Sequence, residues 1–589
     1  MLHNSKKNGG FTLIESLIAV AIFAVVSVSI YLAYSNILDI FSASYLNLTA
    51  LSAIENELEI IRNMSYGDVG IQGGLPAGVL VAEKNIVLGE VDFVVKTLVR
   101  NVDDPFDGLQ GGSPNDSTPA DYKLIEVEVS CPACLRYIPA KITTTVAPQG
   151  LESVTNRGTL LIQVINASGQ PVAGAGVSVV NNNVSPAVNI SDVTDISGTL
   201  KLIDVPVSNV GYAITVSKSG YSIDRTYNPG DLANPNPLKP HATVVSQQVT
   251  QISFVIDRVS TLNFRAQDEF CAGIPGMDFI QDGFKLIGTN PDILKYSVAH
   301  ATDISGNRAV YNLEFDTYDF RNQDLNFEIS GSSPMPPVVV DPNGSYGFTW
   351  LTAPKNPSGI LISVKNQNGQ MINDAKVTLS RPGLSQIKYS GQKFLNKSDW
   401  SGGQYSSKTG LVETDNPAGQ LVLGQINGKY ATSSQELISS TVDFGTSVTV
   451  FYGLSWNPVS QPPQAGPDSL SFQIAANNDN STWNFIGPDG TPGSFYTVSG
   501  TDIYSGHDGN RYLRYKVFLK TVDDSVTPSL DDLTVDFHSS CIPDGQVYFD
   551  GLTQDTYTVT IEKGGYQTFT DTDAIVNSNW EDYRAVLQP

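Results

Sequence analysis

From Phe11 to Leu38 the chain carries an unbroken apolar run, FTLIESLIAVAIFAVVSVSIYLAYSNIL, whose only charge is Glu15. At a rise of 1.5 Å per residue, about 20 helical residues cross the roughly 30 Å hydrocarbon core of a membrane, and this run exceeds that. Neither Gly nor Pro follows Gly10 until Gly67. A continuous helix is therefore expected to run on through Leu51, Ile54, Leu58 and Ile61, whose spacing of three and four makes one apolar stripe. Glu15 is the anomaly, because a carboxylate inside a hydrocarbon segment is costly and needs a partner. Cleavage between Gly10 and Phe11 would supply one, a new α-amine four residues away.

The short leader with Lys6 and Lys7, then Gly10, Phe11, Thr12, Leu13, Ile14 and Glu15 ahead of an apolar helix, resembles the class III signal of the type IV pilin family. The resemblance implies that a membrane prepilin peptidase cuts after Gly10 and methylates Phe11. It also implies that Glu15 meets the amine of a neighbouring subunit during filament assembly. An ordinary secretory signal has a shorter apolar region, no internal Glu and a small-residue cleavage site. A plain membrane anchor accounts for the hydropathy but explains neither Gly-Gly-Phe nor Glu15.

With 589 residues the chain has room for about four domains. Its 51 Gly, 33 Pro, 25 Tyr and 24 Phe with only 16% charged residues describe ordered, turn-rich β structure rather than disorder. A net charge of −24 opposes binding to nucleic acid through phosphates. Export permits disulfides, and Cys131 and Cys134, in the sequence CPAC, read as a local staple. No second CxxC completes a zinc site and no βαβ pattern suggests redox chemistry. Whether Cys271 pairs with Cys541 is open at this point.

The expected fold class is an α+β pilin module, a long N-terminal helix plus an antiparallel sheet, followed by several all-β sandwich domains. Residues 1–10 form the leader and 11–150 the pilin-like module, with its transmembrane and assembly helix over 11–64. Within that module Val79–Val102 and Tyr122–Ser130 are β-rich, and Lys123, Ile125, Val127 and Val129 alternate with Leu124, Glu126, Glu128 and Ser130. The loop between these strands holds Asp103, Asp104, Asp107, Asp116 and Asp121. It reads either as a solvated acidic turn, the plainer account, or as a hard-cation site with Asp103, Asp104 and Asp107 as ligands and calcium as the ion. Some pilin relatives hold calcium in such loops, so the resemblance keeps the second reading open; no other cofactor is expected.

Beyond the module, Thr159–Val179 aligns without gaps on Gly359–Leu379. Leu161, Ile162, Val164, Asn166, Gly169, Gln170, Ala175 and Val177 each recur 200 positions later. The strand that closes the first copy, YAITVSKSGY at Tyr212–Tyr221, is matched by YTVTIEKGGY at Tyr557–Tyr566. The offset has grown from 200 to 345, so about 145 residues are inserted within the second copy, a size that suits a whole domain. These repeats resemble the carboxypeptidase regulatory-like family, small non-catalytic β-sandwiches of secreted proteins. The expected domains are a sandwich at 157–258, a diverged one at 259–355, and a split one at 356–389 plus 541–589. An inserted jelly-roll-like domain at 390–540 resembles discoidin-type or carbohydrate-binding modules. Trp456 and Trp483 in that insert are either core residues, the commoner role, or platforms for stacking on sugars.

No metal-spaced His, Gly-x-Ser-x-Gly elbow or phosphate loop is present, and no enzymatic activity is expected. The expected function is a minor pilin or pseudopilin of a type IV pilus or a type II secretion-like filament, presenting its β-sandwiches for adhesion or partner binding. Its partners would be the prepilin peptidase, other pilin subunits, the inner membrane, and a surface glycan or protein. It would wait in the inner membrane and then stand on the extracellular surface. The first rival is a membrane-anchored cell-surface structural protein; a weaker one is a secreted glycan hydrolase.

Overall fold

The computed structural model describes residues 13–134, 137–149, 156–356, 358–447, 449–577 and 580–589, and of Glu15 and Ser16 only the helical backbone. One long N-terminal helix is followed by many predominantly antiparallel sheets. The chain divides into two compact units: the first runs to Asp257 and includes Ile287–Ile293, and the second holds Arg258–Leu286 and Leu294–Pro589.

In the first unit α1 (Leu13–Arg62) is 50 residues long. Its second half lies on an antiparallel sheet of β1 (Glu83–Leu88), β2 (Val91–Val102), β3 (Tyr122–Ser130) and β4 (Ala140–Val146), in that order. Because side chains alternate along a strand, Phe93, Val95 and Val99 of β2 and Ile125, Val127 and Val129 of β3 share the face that meets the helix. The helix answers with Leu46, Ala50, Ala53, Ile54, Leu58 and Ile61. Leu51 departs from the expected stripe and stays 40% exposed. The sheet closes on the small Ala50 and Ala53, which leaves Leu51 at the edge of the contact. Glu57 enters the stripe instead, and its buried carboxylate is met by Lys84 Nζ at 2.6 Å. Lys123 ends the buried face of β3 and donates to the carbonyls of Tyr66 and Val69 at 2.7 and 2.6 Å. Burial pushes its ammonium below its usual range, partly countered by Asp204 and Asp68.

The first sandwich contains β5 (Arg157–Ile165), β6 (Gly176–Asn181), β7 (Val188–Val193), β8 (Thr199–Pro206), β9 (Ser208–Ser217), β10 (Asp224–Arg225), β11 (Ala242–Val244) and β12 (Val249–Val255). One sheet has the order β12-β5-β8 and the other β10-β9-β6-β7, with β11 also on β9. Leu160, Ile162, Val164, Val177, Tyr212, Ile214, Val216 and Phe254 fill the space between them.

Within the second unit the repeat has the same pairing. Val177 faces Val216 in the first copy, and Val377 faces Ile561 in the other. The last strand of each runs parallel to its first, Val249–Val255 beside β5 and Glu581–Leu587 beside Ile360–Asn366. Tyr212 and Tyr557 are both fully buried, and their hydroxyls donate to the carbonyls of Pro206 and Thr553. A third set of strands follows the same plan, with Ser260–Gln267 parallel to Ser345–Pro354.

A hydroxyl latch recurs in all three. Thr194, Thr302 and Ser390 accept from the amides of Ala175, Met277 and Ala375 at 2.9, 2.9 and 3.0 Å. They donate to the carbonyls of Val172, Ile274 and Ile372 at 2.6, 2.7 and 2.7 Å. The turn that opens the repeat needs a left-handed residue, which Gly169 and Gly369 supply at φ 75° and 78°. In the third set that place is taken by Cys271 at φ 62°, and its sulfur is bonded to Cys541. Residues Lys393–Ser539 form four further sheets, around a core that includes Trp400, Phe472, Tyr515 and Phe537.

Candidate functional site

The first half of α1 is the largest feature whose chemistry the fold leaves unfinished. Phe23, Tyr31 and Phe41 are 73%, 71% and 70% exposed, and the most apolar window of the helix has mean hydropathy 2.4 with none of it buried. A helix apolar all round is stable only where something apolar surrounds it, as a bilayer or a bundle of like helices does. Ser29 hides its hydroxyl by donating to the carbonyl of Val25 at 2.8 Å, the usual local solution in an apolar medium. Gly10 and Phe11, the expected cleavage and methylation positions, lie outside the described residues. Glu15 falls in the first turn of the helix, and its side chain is likewise outside them.

The acidic loop closes differently from its sequence reading. Pairing of β2 with β3 sets Asn101 opposite Lys123 and Val102 opposite Tyr122, so the next residues out, Asp103 and Asp121, are brought together. Asp116 folds back to join them, and one carboxylate oxygen from each of the three lies within 4.8 Å of the others. Asp104 and Asp107, named with Asp103 as ligands, are not part of this group. Asp104 Oδ1 accepts from the amide of Phe106 at 3.1 Å, and Asp107 is exposed. The missed signal was the strand pairing, which the separation of two acids within a loop does not reveal.

Cys131 and Cys134 are disulfide-bonded, their Cα atoms 5.3 Å apart, and Cys131 is buried against the core between helix and sheet. Trp456 is not a stacking platform. It is 3% exposed with its ring 4.5 Å from that of Phe472, so no face is open to a sugar. Trp483 is half-buried beneath the guanidinium of Arg514, 4.3 Å from its ring centre. Also in the second unit, a groove of about 800 Å³ is lined by Arg321, Glu328, Lys355, Trp580, Asp582 and Arg584, a mixture of charges suited to a polar ligand.

Compared with known proteins, residues 5–31 match the prokaryotic N-terminal methylation motif. That motif implies processing by a prepilin peptidase and assembly with other pilin subunits, and with the bare helix it supports a pilus-subunit role that begins at a membrane. No curated protein matches the sequence. Among solved structures, the Streptococcal ancillary pilin is 13% identical, with 39% of this chain covering 76% of that one at a TM-score of 0.19. The shaft pilin SpaA of Lactobacillus rhamnosus GG is 11% identical, with 34% covering 98% at 0.14. The Bacillus anthracis TIE protein is 9% identical, and 79% of this chain spans 59% of it at 0.15. At such scores these likenesses carry no argument about function.

Proposed function

We propose that this chain is a minor pilin or pseudopilin that enters a type IV pilus or a type II secretion-like filament and carries its β-sandwiches outward for adhesion or partner binding. The observation that carries the reading is the continuity of the methylation motif at residues 5–31 with a helix whose first half is bare and whose second half is covered by its own sheet. Such a helix is finished as a fold only from about Leu46 onward. Its remainder belongs to a membrane before assembly and to neighbouring helices afterwards. Glu15, the one charge in the apolar run, is the residue to which the assembly role falls, paired with the amine of methylated Phe11 in an adjacent subunit.

The mass beyond the module favours a sparse or terminal position, since a closely packed shaft leaves little room for several sandwiches on each subunit. The mixed-charge groove of the second unit is the surface we assign to a polar partner, a protein or a glycan. Immunogold labelling of native filaments with antibodies against residues 390–540 tests this. Isolated particles at tips or at wide intervals support a minor subunit. Dense, regular labelling would make it a shaft subunit, and label confined to the cell envelope would favour the plain membrane anchor.

A further inference from the structure

We propose that the loop between β2 and β3 binds one calcium ion on Asp103, Asp116 and Asp121, and that the ion locks this loop against the first sandwich. Three carboxylate oxygens within 4.8 Å of one another span no more than two oxygens can when each lies about 2.4 Å from a shared Ca²⁺.

The cluster has a second mark of a missing ligand. Asp103 and Asp116 are 8% and 6% exposed, and Oδ1 of Asp103 and Oδ2 of Asp116 are buried without any hydrogen-bond partner. A buried carboxylate oxygen that accepts nothing bears an uncompensated desolvation cost, and two in one cluster add mutual repulsion. The other oxygens of these residues are already committed. Asp103 Oδ2 takes the ammonium of Lys201 and the amide of Gln110, and Asp116 Oδ1 takes the amide and hydroxyl of Thr118. Asp121 Oδ2 accepts the amide of Asp104. With Lys201 counted against three aspartates, the charge left over is that of one divalent cation. An all-oxygen carboxylate set selects a hard ion, and an irregular loop accommodates the variable coordination of calcium more readily than the strict octahedron of magnesium.

The placement gives the ion a mechanical role. Lys201 stands on β8 of the first sandwich, and the same loop sends Gln110 to accept the hydroxyl of Thr159 on β5. Fixing Asp103, Asp116 and Asp121 on one ion therefore fixes the side of the loop that holds the sandwich.

The test is calorimetric titration of CaCl₂ and MgCl₂ into the full processed chain in detergent after EDTA stripping, with Asp116→Asn and Asp107→Asn beside it. We expect Asp116→Asn to lose one calcium per chain, or to bind it at least tenfold more weakly, while Asp107→Asn keeps it. In EDTA, Asp116→Asn should melt no lower than the stripped wild type, since it removes an orphaned charge, and only the wild type should gain thermal stability with calcium. Absence of saturable calcium binding, binding unchanged in Asp116→Asn, equal weakening in Asp107→Asn, a lower melting point of Asp116→Asn in EDTA, or magnesium bound as tightly as calcium would each overturn the proposal.

Discussion

The two halves of α1 differ in composition and meet opposite surroundings. From Leu17 to Leu38 the helix carries no charge and is apolar on every side, and among the described residues nothing covers Phe23, Tyr31 or Phe41. From Leu46 to Ile61 the buried residues Leu46, Ala50, Ala53, Ile54, Leu58 and Ile61 gather on one stripe, and the β2 and β3 faces cover it. The difference lies in both hydrophobicity and periodicity: Glu55, Glu57, Glu59 and Arg62 all fall in the second half, whose buried apolar residues gather on one side. An amphipathic segment can be completed within one chain, whereas a segment without a polar face calls for a membrane or other copies.

This contrast can be broken most sharply by one truncation in each half. Ile54→Ala, at a fully buried site, should cost about 4 kcal/mol of the module's stability. Ile22→Ala, at a site 59% exposed, should stay within about 0.5 kcal/mol. Hydrogen exchange of β2 and β3 amides reads both, and equal losses would erase the distinction. Next in size, Val28→Asp should disfavour membrane insertion by about 3 kcal/mol, seen as alkaline extraction of the protein from membranes with unchanged melting of the β domains.

Closed cores also carry a pH signature that a bare apolar helix lacks. His507 is 3% exposed, and burial lowers its pKa from 6.5 to about 4, with Asp508 opposing the shift. The unfolded chain then binds a proton that the folded domain refuses. The stability tied to neutral His507 is complete above pH ~6.5 and is lost as pH falls through 4, by about 3 kcal/mol in all. Melting of the wild type against His507→Gln between pH 7 and 4.5 should show the loss only in the wild type. The smallest effect concerns the repeated latch. Thr194→Val leaves the Ala175 amide and the Val172 carbonyl without their partner and should cost about 1–2 kcal/mol, read as faster exchange at Ala175.

How much of this was legible in the sequence depended on whether the chemistry was contiguous. The leader, Gly10, Phe11 and Glu15 stand side by side, so the motif matched at residues 5–31 and the long apolar helix were legible from contiguous residues. The repeat was visible through residues 200 apart, and the jump of its closing strand to an offset of 345 corresponds to Val377 facing Ile561 as Val177 faces Val216. What depended on pairing between strands was hidden. Asp121 meets Asp103 only because β2 lies beside β3, and Cys271 shows its kinship with Gly169 only through the left-handed turn that both occupy. Trp456 illustrates the same limit, since alternation along a strand does not say which face is covered.

The central claim, that this is a processed subunit of a filament, is tested most directly by the intact mass and N-terminal sequence of the protein from its native cells, beside a Glu15→Ala variant. The account predicts a chain beginning at N-methylated Phe11, with the variant cleaved normally but absent from filaments. A chain that retains Met1 to Gly10, or a Glu15→Ala variant that enters filaments as well as the wild type, would contradict it.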